Sequence, residues 1–487
     1  MVWSRDGHRW DWLRLAHVCR RWRDVISISP HRLDLWILCT SKSGGVPIER
    51  ILGSSSWSSV PLIVRFKAST SPPRNDQSLL LLPDNIAAAL RCWDRICEID
   101  LGVTRSMAGS IVEVIHQEPL QALKSIRVTF ENATEPPLLI RNSLLGGSAP
   151  HLREIKLDGI AFPFPAVRQV LSSTNNLVEL HLSNIPNEVY FSPDDLITTL
   201  STLAHLKSLA IGFHSPASRP PPPSSITHPP PTKRTITLSS LTHLDFHGAS
   251  EYLEGFVAHI GDSPSLSKIT IKLFNQILFE IPQFCQFVSR LKALGGSLST
   301  WIFITHSAES VSVMFVQEGK PSNENYCLGT TSCRRLDWQL SFVTQITSQL
   351  SPFILSSVHS LSIKKTKKAH HHNSNSEMGV IPSASGGDEE EDDEDDVDSA
   401  QWLELFRPFR HLTQVHVWEK RLVPGIVQAL VTEEGEGNMN VAAAGVVLPE
   451  LSSLHLSGYR KSPSVAKAAE EFVAARRLAG RTVRLIG

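Results

Sequence analysis

A spaced set of aliphatic residues recurs along this chain, and no other feature of the sequence constrains the fold as strongly. The pattern is L-x-x-L-x-L, with an aliphatic residue at each L, or once a phenylalanine at the last one. Copies begin at Ile96, Leu123, Leu152, Leu177, Leu206, Leu241, Leu266, Val358, Leu412 and Leu451. Because strand side chains alternate between two faces, the x-L-x-L portion predicts a short strand with two aliphatic side chains pointing inward.

The spacing of the copies indicates a repeat. Starts from Ile96 to Leu266 follow one another at 27, 29, 25, 29, 35 and 25 residues. Leucine-rich repeats have a period of about 20–29 residues, and an insertion explains the longest gap. One unit cannot cover its own hydrophobic edge, so successive units must stack. The expected fold class is therefore α/β, a leucine-rich-repeat solenoid (horseshoe). It should be irregular, because only Asn184 occupies a place comparable to the asparagines of regular repeats.

Helical patterns separate these strands. Apolar residues at three- and four-residue steps predict helices over 108–116, 164–171 and 193–203, the last of which opens with Pro-Asp-Asp. A further amphipathic helix is predicted over 464–478, where we expect it to cap the open end of the array. Strand, loop and helix in repetition predict a parallel sheet on one face of the solenoid.

Two segments interrupt the pattern. Residues 215–234 are rich in proline and predict an exposed loop between repeats, rather than a ligand for a proline-binding domain. Residues 364–399 combine lysines, three histidines and an acidic run, and such a composition buries too little apolar area to order itself. The acidic run, 388–398, holds ten acids, so the rest of the chain carries 47 basic against 38 acidic residues, about +9. That excess collects on no single stripe and does not indicate nucleic-acid binding.

Composition and cysteine usage point to the cytoplasm or nucleus. Hydrophobic residues make up 41% of the chain, as is usual for a globular protein. The N-terminus lacks the apolar region of a secretory signal, and no stretch reaches the ~18 apolar residues of a membrane helix. The seven cysteines form no CxxC pair, which fits reduced thiols.

Candidate catalytic and metal sites are weak. The histidines at 370–372 lie in a low-complexity segment, and an incidental solvated run explains them better than a metal tract does. Cys92 and Cys97 are spaced C-x4-C with no second pair, so zinc is not expected. The sequence contains no GxGxxG, GxxxxGK[ST], GxSxG or HExxH motif. We therefore expect no metal, no cofactor and no enzymatic activity.

The N-terminal segment 12–25 reads as an amphipathic helix, WLRLAHVCRRWRDV. One face carries Leu15, Val18, Cys19 and Trp22, and the arginines lie mostly away from it. On its own this pattern would favour a core helix that caps the array. The wider segment 17–36 reads HVCRRWRDV…SP…LW, with Leu35 and Trp36 at its end.

That segment resembles the second half of an F-box, the helical module that docks onto the Skp-type adaptor of cullin–RING ubiquitin ligases. The resemblance is closest to the large F-box families of basidiomycete fungi, and it continues through 144–160, 251–260, 274–290, 337–341, 401–409 and 472–480. It implies that Val18, Cys19, Trp22, Leu35 and Trp36 pack the module and serve the adaptor contact. An F-box begins with Leu-Pro and an acidic–aliphatic helix, and no Leu-Pro precedes Val18, so the expected module is incomplete.

The resulting hypothesis is a non-enzymatic substrate receptor of an F-box-type ubiquitin ligase. Residues 1–40 would be the partial F-box, 41–363 the repeat array, 364–399 a disordered linker, and 400–487 further repeats with the capping helix. The partners would be the adaptor and an unknown target protein, with no nucleic acid and no membrane. The target would bind outward strand residues, namely Lys156, Glu179, His181, Ser208, Asp245 and Lys272. The alternative is an adaptor-independent leucine-rich-repeat scaffold with a relic F-box.

Overall fold

The structure is a computed structural model in which the chain divides into two compact units, residues 1–266 (unit 1) and 267–487 (unit 2). The residues that it describes are 19–21, 24, 37–39, 60–67, 84–105, 107, 119–130, 137–140, 143–216, 235–261, 263–291, 300–317, 326–331, 333–365, 398–436 and 446–487.

The strands of unit 1 form a parallel sheet that follows the chain. In sheet order they are β1 (Ile37–Cys39), β2 (Leu62–Lys67), β3 (Ile96–Val103), β4 (Ser125–Phe130), β6 (Glu154–Asp158), β8 (Glu179–Ile185), β9 (Ser208–Phe213) and β10 (His243–Gly248). Every neighbouring pair in this order is parallel. A separate two-stranded pair contains β5 (Leu138–Leu139) and β7 (Ile160–Ala161).

Helices lie between several of these strands, and two of them lie where the sequence predicts them. The α-helices whose bounds the structure describes in unit 1 are α1 (Asp84–Leu90), α2 (Phe164–Ser173), α3 (Pro193–Leu200) and α4 (Ser250–Val257). Helices α2 and α3 confirm the predictions for 164–171 and 193–203. The Ser192 hydroxyl accepts a hydrogen bond from the Asp195 amide at 3.1 Å and so caps the start of α3. The helix predicted over 108–116 lies outside the described residues.

The sheet of unit 2 contains an antiparallel insertion. In sheet order its strands are β11 (Lys268–Phe274), β14 (Tyr326–Thr331), β13 (Ser310–Gln317), β12 (Thr300–His306), β15 (Val358–Lys365), β16 (Gln414–Val417), β17 (Ser453–Leu456) and β18 (Arg484–Ile486). Strand β13 pairs antiparallel with both β12 and β14. Strand β14 is parallel to β11 and β12 is parallel to β15, so the parallel order resumes on each side. Within the span 41–363 predicted as a repeat array, residues 300–331 thus contain antiparallel pairings that the sequence did not predict.

The helices of unit 2 are α5 (Pro282–Ser289), α6 (Leu336–Gln349), α7 (Pro352–Ser356), α8 (Ser399–Phe406), α9 (Val423–Glu436) and α10 (Pro463–Leu478). Helix α10 confirms the prediction for 464–478. It buries Ala469 and Phe472, as the apolar face requires, and it also buries Arg476 completely. The linker predicted over 364–399 is wrong at its ends, because Lys364 and Lys365 belong to β15 and Ser399 begins α8. Residues 366–397 of this prediction lie outside the described residues.

All ten aliphatic patterns fall on parallel strands, which confirms a mixed α/β fold with a mostly parallel sheet. Their inward residues are buried, as in Ile155 and Leu157 of β6 or Leu180 and Leu182 of β8. The first aliphatic residue of each pattern is buried as well, as Leu177 illustrates on the turn into β8.

Backbone hydrogen bonds join these turns. The Lys207 carbonyl accepts from the Thr242 amide at 2.8 Å and from the His243 amide at 3.0 Å. The Thr413 carbonyl accepts from the Ser452 amide at 2.9 Å and from the Ser453 amide at 3.0 Å in the same manner. Each turn thus satisfies the polar backbone of the next one, so the aliphatic side chains beside it can be buried.

Candidate interaction surfaces

The outward side of the unit 1 sheet carries a network of ionised side chains, which we call the charged face (Arg65, Glu98, Asp100, Arg127, Glu154, Lys156 and Glu179). These residues alternate along the strands with buried aliphatics. In the parallel register Arg65 lies opposite Asp100, Asp100 opposite Arg127, and Arg127 opposite Lys156. The strand pairing therefore sets the charges into rows across the sheet.

Most of these charges are paired within the face. Arg127 contacts Glu154 at 2.8 Å and Asp100 at 3.7 Å, and Lys156 contacts Glu154 at 2.9 Å and Glu179 at 2.8 Å. Arg65 contacts Glu98 at 2.6 Å. Burial alone would raise the pKa of Glu154, but hydrogen bonds from Lys156 and Arg127 lower it overall. The charged face thus largely neutralises itself, and a partner would have to compete with these ion pairs.

The predicted target-binding residues lie where the alternation places them. Lys156, Glu179, His181 and Ser208 sit together on the outward side of the unit 1 sheet, and the His181 Nε2 atom lies 2.9 Å from the Ser208 hydroxyl. Asp245 is exposed on β10. Lys272 is exposed on β11 and belongs to unit 2, so the six residues do not form one set. Lys156 and Glu179 are already paired with each other.

The outward side of the unit 2 sheet has a different chemistry. Its open positions hold Trp301, Phe303, His416, Trp418 and His455, which we call the aromatic face. The parallel register aligns Phe303 with Ser362, Ser362 with His416, and His416 with His455. Trp418 is 62% exposed and Trp301 36% exposed. Isolated exposed apolar residues are ordinary, but several aromatic side chains on one side of a sheet indicate a contact surface.

Contacts within the aromatic face hold its rings in position. The Trp418 Nε1 group donates a hydrogen bond to the Ser362 hydroxyl at 3.0 Å. The rings of His416 and His455 stack with centroids 4.0 Å apart, and Trp301 and Phe303 stack at 6.1 Å. These contacts fix the aromatic rings before any partner arrives, which reduces the entropy lost on binding.

The ionised side chains on the strands that carry the aromatic face have one sign, whereas the neighbouring carboxylate of Glu419, which follows Trp418, acts on His306 of β12. None of the strands β11 to β18 contains an aspartate or a glutamate within its bounds. Lys272, Lys364 and Arg484 point to the outward side, and none of the three forms an ion pair with a residue that the structure describes. The Lys364 ammonium lies 5.6 Å from the centroid of the Phe303 ring. The strands of this face are therefore aromatic and cationic, with one carboxylate, Glu419, next to Trp418 in the sequence.

Sequence reasoning did not single out the five residues of the aromatic face. The signal for His416, Trp418 and His455 was present, because each stands outside the buried positions of an aliphatic pattern, in VHVW at 415–418 and LHL at 454–456. Trp301 and Phe303 lie on the unforeseen strand β12, so no pattern copy marked them.

Only part of the N-terminal segment is described. Arg20, Arg21 and Asp24 are helical and exposed, in agreement with the predicted helix. Cys19 is exposed, which disagrees with the prediction that it packs inside the module. Val18, Trp22, Leu35 and Trp36 lie outside the described residues, and Ile37–Cys39 forms β1 instead of belonging to a helical segment.

The described thiols and histidines form no metal-binding cluster. No group of three or more His, Cys, Asp or Glu side chains could hold a metal ion in this part of the chain. The Cys92 thiol donates to the Ala88 carbonyl at 3.7 Å, and the Cys97 thiol donates to the Leu62 carbonyl at 3.2 Å. Burial raises the pKa of the Cys333 thiol to about 11, which disfavours its thiolate form.

Several histidines make folding sensitive to pH. Burial lowers the pKa of His306 in unit 2, and it also lowers those of His181 and His416. The unfolded chain then binds protons at a higher pH than the folded one. Each neutral histidine therefore contributes its full share to the stability of the folded chain above pH 6.5, the ordinary histidine pKa. That contribution is lost as the pH falls through the lower pKa of the folded state.

We expect a His306→Gln variant to lose less stability than the wild type between pH 7.5 and 5.5. Glutamine has no proton to gain in this range, so the pH-dependent contribution of His306 disappears. Urea unfolding at several pH values measures the two slopes. His359→Gln is the matched control, because His359 is exposed on the neighbouring strand β15. An unchanged slope in His306→Gln would contradict the assignment.

Comparisons with protein-family models and curated proteins identify no relative, so the function is inferred from the fold and from the two surfaces. No protein-family model matches the chain, and no curated protein matches it. Among the helices that the structure describes, none has the length and apolar character needed to span a membrane.

Proposed function

We propose that this chain is the substrate receptor of an F-box-type cullin–RING ubiquitin ligase, built on an irregular leucine-rich-repeat solenoid. The observation that carries the proposal is the alternation on the strands of each unit, with aliphatic residues buried on one face and polar or aromatic residues open on the other. A repeated strand with one open face is the typical binding surface of a stacked-repeat protein. The target protein would bind this open face.

The adaptor contact would come from the N-terminal segment. Its resemblance to the second half of an F-box assigns adaptor docking to 17–36. The helical residues Arg20, Arg21 and Asp24 are exposed, as a docking segment requires. In this arrangement the chain performs no bond chemistry. It holds the target close to the conjugating enzyme elsewhere in the complex and so raises the effective concentration of the target there.

Co-purification of the full chain with a purified Skp-type adaptor tests the proposal. We expect the wild type to retain the adaptor and a Trp22→Ala variant to lose it, because the resemblance places Trp22 in the docking module. Trp93→Ala is the matched control and should retain the adaptor, since Trp93 is an exposed tryptophan outside 17–36 in the sequence.

A folded wild-type chain that retains no adaptor would overturn the receptor proposal. It would favour the adaptor-independent scaffold, for which target binding alone is required. Circular dichroism of each variant establishes that a lost interaction does not reflect loss of the fold.

A further inference from the structure

We propose that the aromatic face of unit 2 binds an acidic peptide segment of a target protein, with an apolar side chain of that segment seated on Trp418. The inference rests on the proposed function, because it names the kind of target that the receptor would bind. Three features of the structure support it, namely the exposed indole, the sign of the surrounding charges and the arrangement of the row.

The first feature is the exposed but fixed indole of Trp418. Its Nε1 group donates to Ser362, whose side chain is buried, and its backbone amide donates to the Ile363 carbonyl at 2.9 Å. Trp418 is thus held by one hydrogen bond from its indole and one from its backbone amide, while 62% of the residue remains exposed to solvent. Tryptophan is among the residues that contribute most to protein interfaces, above all when it is already positioned.

The second feature is electrostatic. Lys364 lies over Phe303, and Arg484 lies at the far end of the sheet opposite Ser453. Strands β11 to β18 contain no carboxylate, and the neighbouring Glu419 is a single carboxylate against the cations of Lys272, Lys364 and Arg484. On the charged face of unit 1, in contrast, Arg65, Arg127 and Lys156 are each paired. An acidic partner would therefore gain more from the aromatic face than from the charged face.

The third feature is the shape of the row. Phe303, Ser362, His416, His455 and Ile486 follow one line across strands β12, β15, β16, β17 and β18. Five strands spaced about 4.8 Å apart span roughly 20 Å, a length that an extended peptide of about eight residues covers. A short peptide can therefore reach Lys364, Trp418 and Arg484 together.

A single-stranded nucleic acid also combines negative charge with flat rings, and aromatic platforms are known to bind it. Proteins that bind nucleic acids tightly commonly neutralise about 6–10 phosphates, however, whereas this face presents Lys272, Lys364 and Arg484. The small number of cations favours the peptide. The test includes an oligonucleotide so that this alternative can overturn the proposal.

Fluorescence anisotropy with the full chain tests the inference. The probe is a fluorescein-labelled peptide of about eight residues, in which Asp and Glu surround one phenylalanine. The comparison probes are the same peptide with lysine in place of every acid, and a labelled oligothymidylate. We expect binding of the acidic peptide to exceed that of either comparison probe and to weaken with added salt.

Variants locate the site. Trp418→Ala should weaken peptide binding about tenfold or more, as is typical for a central interface tryptophan. Lys364→Glu with Arg484→Glu should weaken it further and reduce its salt dependence. The matched controls are Trp338→Ala and Arg477→Glu, because Trp338 is 52% exposed on α6 and Arg477 is exposed on α10. Both controls should bind like the wild type.

The outcomes separate this inference from the proposed function. Equal binding of the acidic and basic peptides, tighter binding of the oligothymidylate, or equal losses in Trp338→Ala and Trp418→Ala would each overturn the inference. If the chain retains the adaptor but the peptide does not bind, the inference fails and the receptor proposal stands. If the peptide binds but the adaptor is not retained, the receptor proposal fails and the binding site stands.

Discussion

Replacing Arg476 with alanine is expected to lower the free energy of unfolding by about 3 kcal/mol or more. Arg476 is completely buried on α10. Its Nη1 group donates to the Leu448 carbonyl at 3.0 Å and its Nη2 group to the Val447 carbonyl at 2.6 Å. Alanine would leave both carbonyls buried without these donors and would open a cavity beside Phe472, whose ring lies 5.2 Å from the guanidinium. Urea unfolding followed by tryptophan fluorescence measures the loss.

The neighbouring arginine provides a matched control. Arg477 lies on the same helix and is exposed, so Arg477→Ala should change stability by less than about 0.5 kcal/mol. Arg476→Lys should restore only part of the loss, because one ammonium cannot reproduce the forked geometry of a guanidinium. Equal stability of Arg476→Ala and Arg477→Ala would show that the buried arginine does not hold this segment.

The second large effect is expected in unit 1, where Leu180→Ala should cost about 2–5 kcal/mol. Leu180 is 0% exposed at the centre of the sheet, in register with Ile155 on β6 and Leu209 on β9. Each strand covers the hydrophobic edge of the next, so the cavity would weaken the contacts on both sides. Thermal and urea unfolding of the variant measure this loss.

Leu478→Ala is the control with the same chemical change. Leu478 is 90% exposed at the end of α10, so its truncation should leave stability almost unchanged. If Leu180→Ala were as harmless as Leu478→Ala, the aliphatic pattern would not form the buried core of unit 1.

The sheet was predictable from the sequence wherever the aliphatic pattern is complete. Leu177, Leu180 and Leu182 illustrate why, because their spacing alone fixes the buried turn, the strand and the face that it buries. Apolar residues at three- and four-residue steps also located helices α2, α3 and α10. In each case a short local signal and a burial requirement point to the same structure.

The antiparallel insertion was not predictable from the same signal. Strand β13 buries Val311, Val313 and Phe315, which alternate as strand residues do, but alternation does not reveal which neighbour a strand will pair with. The leucine-rich period carried no information there, because no copy of the pattern lies between Leu266 and Val358. Pairing partners depend on contacts distant in sequence.

The sequence predicted several residues of the outward side of the unit 1 sheet, but not which ion pairs those residues form. Alternation correctly placed Lys156, Glu179, His181 and Ser208 on an outward side. It could not show that Lys156 is paired with Glu154 and Glu179, since those contacts depend on the register between strands. The buried Arg476 was likewise hidden, because in the sequence it reads as the polar end of an amphipathic helix.

A receptor must hold its adaptor and its target at the same time, so the most direct measurement is a three-component binding experiment. The full chain, saturated with a Skp-type adaptor, would be titrated with the labelled acidic peptide and then separated by size-exclusion chromatography. We predict that chain, adaptor and peptide elute as one complex, with peptide affinity unchanged by the adaptor. Elution of the adaptor apart from a folded chain, or displacement of the peptide by the adaptor, would contradict the account.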